Sequence, residues 1–169
     1  MNEIVIRQAT PVDIPLLEGI LLDAVHWVAA IGYKQWSPRE VSWENLSKSF
    51  SITDFHLAFG QGQPAGCMAL VDYDPYFWPE EPRGNSLFLH KLAVTQAARK
   101  SGVSSAMMDY FKAEGKARGV TAIQLETNAD RPKLTAFYES HGFVFVKMQH
   151  TKNEFRDLQT AFYKYEIVY

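Results

Sequence analysis

The turn Arg99-Lys100-Ser101-Gly102-Val103-Ser104 is the stretch of this chain best suited to chemistry. It follows an apolar run, Leu87 to Val94, and leads into a helical pattern that opens at Val103. Several backbone N–H groups and the positive end of a helix therefore converge on one point, which suits a phosphate. The turn has neither the G-x-x-x-x-G-K-[ST] pattern of a nucleoside triphosphate loop nor the G-x-G-x-x-G of a dinucleotide loop. A generic anion cradle is what remains. One glycine between basic residues also starts many ordinary helices, so the turn alone leaves the two readings level.

Three other groups of residues could act on a ligand. His90 and Lys91 interrupt the apolar run; a histidine titrates in a useful range, although a lone strand histidine often serves only as a hydrogen-bonded core residue. In the segment Asp72 to Asn85, rich in proline and aromatics, Asp72, Asp74, Glu80 and Glu81 could attract a cationic amine, with Tyr76, Phe77 and Trp78 supplying apolar contacts. The plainer reading is a solvated loop whose rings cover the edge of the core. Cys67, the only cysteine, lies in mid-strand and makes a poor nucleophile. His141 and His150 lack ligand spacing, and no metal site is expected.

The elements that must position these groups follow from periodicity. Glu3 to Arg7 alternates as a strand. Thr10-Pro11-Val12-Asp13 caps a first helix whose Ile14, Leu17, Leu21, Ala24 and Val28 share a face, with Gly32 as the stop. Ser37-Pro38-Arg39-Glu40 repeats the cap and predicts a second helix to about Phe50, turning Val41, Leu46 and Phe50 inward. Phe55 to Gly60 and Ala65 to Val71 read as a hairpin through Gly60-Gln61-Gly62-Gln63. Leu87 to Val94 reads as a central strand covered on both faces. Val103, Ala106, Met107, Tyr110, Phe111 and Ala117 trace a helix face ending at Gly119. Ala122 to Thr127 makes a β-α-β crossover with the central strand, an arrangement that gathers ligands at strand ends. A short helix over Leu134 to His141 precedes strands Phe143 to Met148 and Phe162 to Val168, joined by a long polar connection.

The 169 residues fit one domain, residues 1–169. At 47% apolar and 21% charged the chain has the composition of an ordinary globular protein. A formal charge of −2 with scattered Lys and Arg argues against nucleic acid and against a membrane surface, and favours a small-molecule substrate. One cysteine, no export-like N-terminal segment and no long apolar run point to a cytoplasmic setting.

The turn from Arg99 to Ser104 resembles the R-x-x-G-x-G/A coenzyme A pyrophosphate loop of the GNAT family of N-acetyltransferases, with Ser104 where the family usually has Gly or Ala. Pro132 to Phe143, PKLTAFYESHGF, resembles the family's second motif, written around F-Y-E-x-x-G-F, and is the more specific of the two. Arg131 stands where many members carry an asparagine. Gly32-x-x-Gln35-Trp36 is similar to an element of small bacterial members, either a wall of the acceptor pocket or a plug between helices. The element order β-α-α-β-β-β-α-β-α-β-β matches the family over essentially the whole chain. The resemblance implies a mixed α/β fold, the acyl-CoA N-acyltransferase fold: a central, mostly antiparallel mixed sheet of six to seven strands flanked by about four helices.

It also implies a reaction: acetyl transfer from acetyl-CoA to the primary amine of a small molecule. Backbone groups of Leu92, Ala93 and Val94 would pair with the pantetheine arm, and Arg99, Lys100, Ser101, Gly102, Val103 and Ser104 would hold the pyrophosphate. Arg131 and Phe137 would flank the arm. Tyr138 stands at the family's position for the donor that protonates the leaving thiolate, or else packs on its sulfur. An amine with a pKa near 10 must also lose a proton before attack, and Glu126 and His90 are equal candidates for that base. Trp36, Tyr76 and Trp78 are expected at the acceptor. A non-catalytic acyl-CoA sensor and a protein N-acetyltransferase are the competing readings. The C-terminal strand and apolar ends suit a homodimer.

Overall fold

Apolar alternation in the first residues gives strand β1, Ile4–Gln8, paired antiparallel with β2, Phe55–Gly60. This computed structural model describes residues 3–169. The seven strands hydrogen-bond in the order β1-β2-β3-β4-β5-β7-β6, with β3 Gln63–Val71, β4 Ser86–Val94, β5 Ala122–Asn128, β6 Val144–Lys152 and β7 Asp157–Glu166. Among the described residues four α-helices accompany them: α1 Ile14–Ala30, α2 Trp43–Leu46, α3 Val103–Ala117 and α4 Pro132–Ser140. Two compact units divide the chain, Met1–Ala69 with Lys91–Met107 and Leu70–His90 with Met108–Tyr169.

In the first unit, Asp13 accepts from both the Thr10 backbone N–H (2.8 Å) and its hydroxyl (3.0 Å), so Pro11–Asp13 forms one tight turn before α1 begins. Leu17, Ile20, Leu21, Ala24 and Val25 of α1 pack with Phe55 and Leu57 of β2 and with Cys67 and Ala69 of β3. The β2–β3 turn has positive φ at both Gln61 (51°) and Gly62 (74°), the backbone of a tight hairpin. The second helix expected from Ser37 to Phe50 shrinks to the four residues of α2. Serine hydroxyls compete for its backbone: Ser42 Oγ donates to the Arg39 carbonyl and Ser47 Oγ to that of Glu44. Val41 and Leu46 are nonetheless buried as the spacing predicts.

In the second unit, β4 and β5 pair in parallel over Ser86–Leu89 and Ala122–Leu125, as a crossover requires. β5 then pairs antiparallel with β7, and β7 with β6. The long polar connection expected before β7 is replaced by a four-residue turn, 153–156, because both strands extend through polar pairs such as Gln149 with Thr160. The edge strand β6 is exposed at every residue but Thr151, so most of its polar side chains stay solvated. Trp78 packs with Phe88 and Phe162 in a buried aromatic cluster.

Candidate active site

The turn expected to form an anion cradle lies in the first unit. Lys100 and Gly102 both take left-handed φ, 62° and 86°. A Cβ at Gly102 would meet nothing within 4 Å, so glycine is needed there for backbone conformation and not for room. Alternating left-handed residues just ahead of a helix turn successive N–H groups toward one side. Val103 is buried and anchors the first turn of α3, while Arg99, Lys100, Ser101 and Gly102 are exposed and Ser104 is half-buried.

Helix α1 supports this turn through residues that periodicity did not single out. Asp23 accepts the Gln96 backbone N–H at 2.6 Å and the Gln96 side-chain amide at 3.4 Å. The guanidinium carbon of Arg99 lies 3.1 Å from the centre of the Trp27 ring. Asp23 and Trp27 are one helical turn apart, and a carboxylate among apolar helix neighbours was the signal available in the sequence. Leu92, Ala93 and Val94 end β4, just past Lys91, a non-glycine residue at φ 53° inside a strand. Lys91 Nζ lies 3.2 Å from Glu40 Oε1 and 5.0 Å from the centre of the Trp36 ring. Trp36, expected at the acceptor, is thus also the lid of a largely buried ion pair.

The second unit holds the acid–base candidates. His90 Nδ1 lies 3.0 Å from Glu126 Oε1, and Nε2 lies 3.1 Å from Asp74 Oδ2. The second oxygen of Glu126 accepts the Trp78 indole N–H at 3.2 Å. Burial opposes charge on the ring, but Glu126 and Asp74 outweigh it, and the His90 pKa is raised to about 9. His90 therefore carries a proton on both nitrogens at neutral pH. Asp74, His90 and Glu126 also bring one ligand atom each within 4.8 Å of one another. Since each ring nitrogen already faces a carboxylate, and the pair favours a proton there, the cluster has the pattern of an ion triad and not of a cation cage.

Tyr138 is buried on α4 beside Phe137 and Phe143. Burial pushes its phenol up, and the Glu126 charge pushes it further, against a smaller opposing effect of Arg131. It stays protonated throughout the physiological range. Phe137 is half-buried, as is Arg131 at the head of α4.

Three of the four acids in the loop, Asp72, Asp74 and Glu81, are held by polar partners, while Glu80 is exposed. Asp72 pairs with Arg83 at 3.1 Å, Asp74 holds His90, and Glu81 accepts from Asn85, Ser86 and Gln124. Trp78 is buried with its indole N–H committed to Glu126, whereas Tyr76 is exposed and its hydroxyl accepts from Asn153. The sequence signal for Asp74 was its place ahead of Pro75, where an aspartate closes a turn: it accepts the Phe77 N–H at 3.1 Å.

A model described as the acetyltransferase (GNAT) family matches residues 22–143. An uncharacterized N-acetyltransferase, YesJ, of Bacillus subtilis (strain 168) is 22% identical over 140 residues, covering 79% of this chain and 78% of that protein. Among solved structures, a ribosomal-protein-alanine N-acetyltransferase from Brucella melitensis superimposes with a TM-score of 0.73 at 22% identity, covering 96% of this chain and 99% of the other. The yncA protein of Salmonella typhimurium, solved with its cofactor acetyl-CoA, gives 0.72 at 13% identity over 98% and 94%. The mixed, mostly antiparallel seven-stranded sheet with four helices is the fold of these acetyltransferases.

Proposed function

This chain belongs to the acetyltransferase (GNAT) family, and we propose that it transfers the acetyl group of acetyl-CoA to a primary amine of a small molecule by direct attack on the thioester. The observation that carries the reading is the turn from Arg99 to Ser104, where left-handed Lys100 and Gly102 precede a fifteen-residue helix. Its left-handed backbone and exposed basic side chains suit a pyrophosphate. Leu92, Ala93 and Val94 supply backbone groups for the pantetheine arm.

Acetyl-CoA supplies a thioester carbonyl and a thiolate leaving group. As the amine nitrogen bonds to the carbonyl carbon and the C–S bond breaks, one proton must leave the amine and one must reach sulfur. Tyr138, buried and protonated, donates the second. Glu126 takes the first, directly or through a water. His90 is the poorer base of the two, because both of its nitrogens already hold protons. His90 Nδ1, 3.0 Å from Glu126 Oε1, instead orients that carboxylate. Tyr76, exposed on the second unit, offers aromatic surface for the acceptor.

Calorimetric titration with acetyl-CoA, followed by thiol release over a panel of amines, amino acids, polyamines and peptides, tests this. Binding with release that depends on a small amine supports the proposal. Release only with peptides would move the acceptor to proteins, and binding without release from any acceptor would make the chain a sensor.

A further inference from the structure

The aromatic wall of the second unit carries uncompensated charge of both signs. Phe77, Trp78 and Phe162 pack edge to face, with Phe77 to Phe162 at 6.0 Å and Trp78 to Phe162 at 5.2 Å. Glu126 contacts the edge of this wall through the Trp78 N–H. Asp74 and Glu126 are two carboxylates against the single imidazolium of His90, which leaves one net negative charge beside the indole.

Two cations rest on the same rings. Lys147 Nζ lies 4.7 Å from the centre of Phe162 and 5.9 Å from that of Trp78. The Arg156 guanidinium carbon lies 5.3 Å from the centre of Phe77, the ring that also stacks on His90 at 6.4 Å. Arg156 is held by a closed turn, Asn153 N–H to the Arg156 carbonyl at 2.7 Å, and that turn is tied to the aromatic loop by Asn153 Nδ2 donating to the Tyr76 hydroxyl at 3.0 Å. Among the described residues neither Lys147 nor Arg156 forms an ion pair, although Arg83 and Lys152 of the same unit do. A ring face attracts a cation without neutralising it. Of the acids that composition offered as a lure for a cationic acceptor, Asp72 pairs with Arg83, Asp74 with His90, and Glu81 accepts from Asn85, Ser86 and Gln124, while Glu80 is exposed.

We infer that the acceptor is an amino carboxylate, whose carboxylate is bound by Arg156 and Lys147 at the rim of the buried Trp78–Phe162 cluster, beside the half-buried Phe77, while its amine lies toward Glu126. Such a zwitterion meets both uncompensated charges at once, and the planar fork of Arg156 matches a carboxylate in geometry as well as sign. The inference rests on the acetyl-transfer reading and names the substrate class for it.

The test uses the full chain and matched pairs: glycine, β-alanine, 4-aminobutyrate, phenylalanine and glutamate, each against its own carboxamide, with acetyl-CoA and thiol release as readout. For at least one pair the carboxylate should be preferred at least about tenfold in kcat/KM, the scale of one charge-assisted contact. In the double variant R156Q/K147Q, checked for an unchanged melting temperature, that ratio should fall to near one. Carboxamides used as well as carboxylates, or a double substitution that slows both members of a pair alike, would overturn the inference while leaving acetyl transfer standing. If no acceptor is turned over, the acetyl-transfer reading is what fails. The carboxylate site is then judged by the melting-temperature shift with the five N-acetyl amino carboxylates: a shift absent from the double variant supports it, and no shift with any of them overturns it.

Discussion

A histidine held between two buried carboxylates loses the property that makes histidine a general base. His90 faces Glu126 at 3.0 Å and Asp74 at 3.1 Å, and its pKa is raised to about 9 from an ordinary 6.5. Its ring signals should titrate near pH 9 by NMR, and Asp74→Asn should bring that midpoint down toward the ordinary value. A midpoint near 6.5 in the unsubstituted protein would restore His90 as a candidate base. Tyr138 makes the complementary case, because burial and the Glu126 charge keep its phenol protonated. Tyr138→Phe should lower kcat by about 10² to 10⁴-fold, the usual range for a positioned proton donor, with acetyl-CoA affinity within about threefold of the parent. Equal turnover in the two proteins would leave Tyr138 as a packing residue. His90, Glu126 and Tyr138 were legible as residue types; that His90 is charged was not, because Asp74 lies sixteen positions upstream and reaches it only in three dimensions.

Elements were legible where periodicity and propensity agreed. Helix α1 and the β2–β3 hairpin lie where the spacing puts them. Where local hydrogen bonding competes, as among the serines around α2, periodicity marks the buried residues and not the helix. Strand β3 shows what spacing could not reveal: a Cβ on Gly66 would sit 2.7 Å from the Ala93 carbonyl oxygen and 3.0 Å from Met107 Sδ. Gly66→Ala must therefore push back the end of β4 that precedes the cradle. It should destabilise the fold by roughly 1 to 3 kcal/mol, the usual cost of overpacking, measured by denaturant titration, and should weaken acetyl-CoA binding as well. At the cradle, Gly102→Asp adds strain at φ 86° and a negative charge at the proposed pyrophosphate site. Calorimetry should show at least about tenfold weaker acetyl-CoA binding; unchanged binding would place the pyrophosphate elsewhere.

For the whole molecule, the His90 triad ties stability to pH. Its folded pKa lies above its unfolded one, so its contribution is complete below about pH 6.5 and is lost as pH rises through about 9. The melting temperature should therefore fall between pH 6.5 and 9.5, and H90Q, which cannot titrate, should flatten that fall. By itself the sequence determined the family resemblance, the element order, the glycine turn ahead of α3 and the tyrosine of the second motif, because each is written in residues close together along the chain. Only the tertiary structure decided that Asp72 and Asp74 of the acidic loop pair with Arg83 and His90, that Trp78 serves Glu126, that Asp23 and Trp27 brace the turn ahead of α3, and that Lys147 and Arg156 lie over the aromatic cluster. The state of an ionisable group depends on which charges lie within a few ångströms of it, and those neighbours are chosen by strand register and loop closure, not by position in the chain.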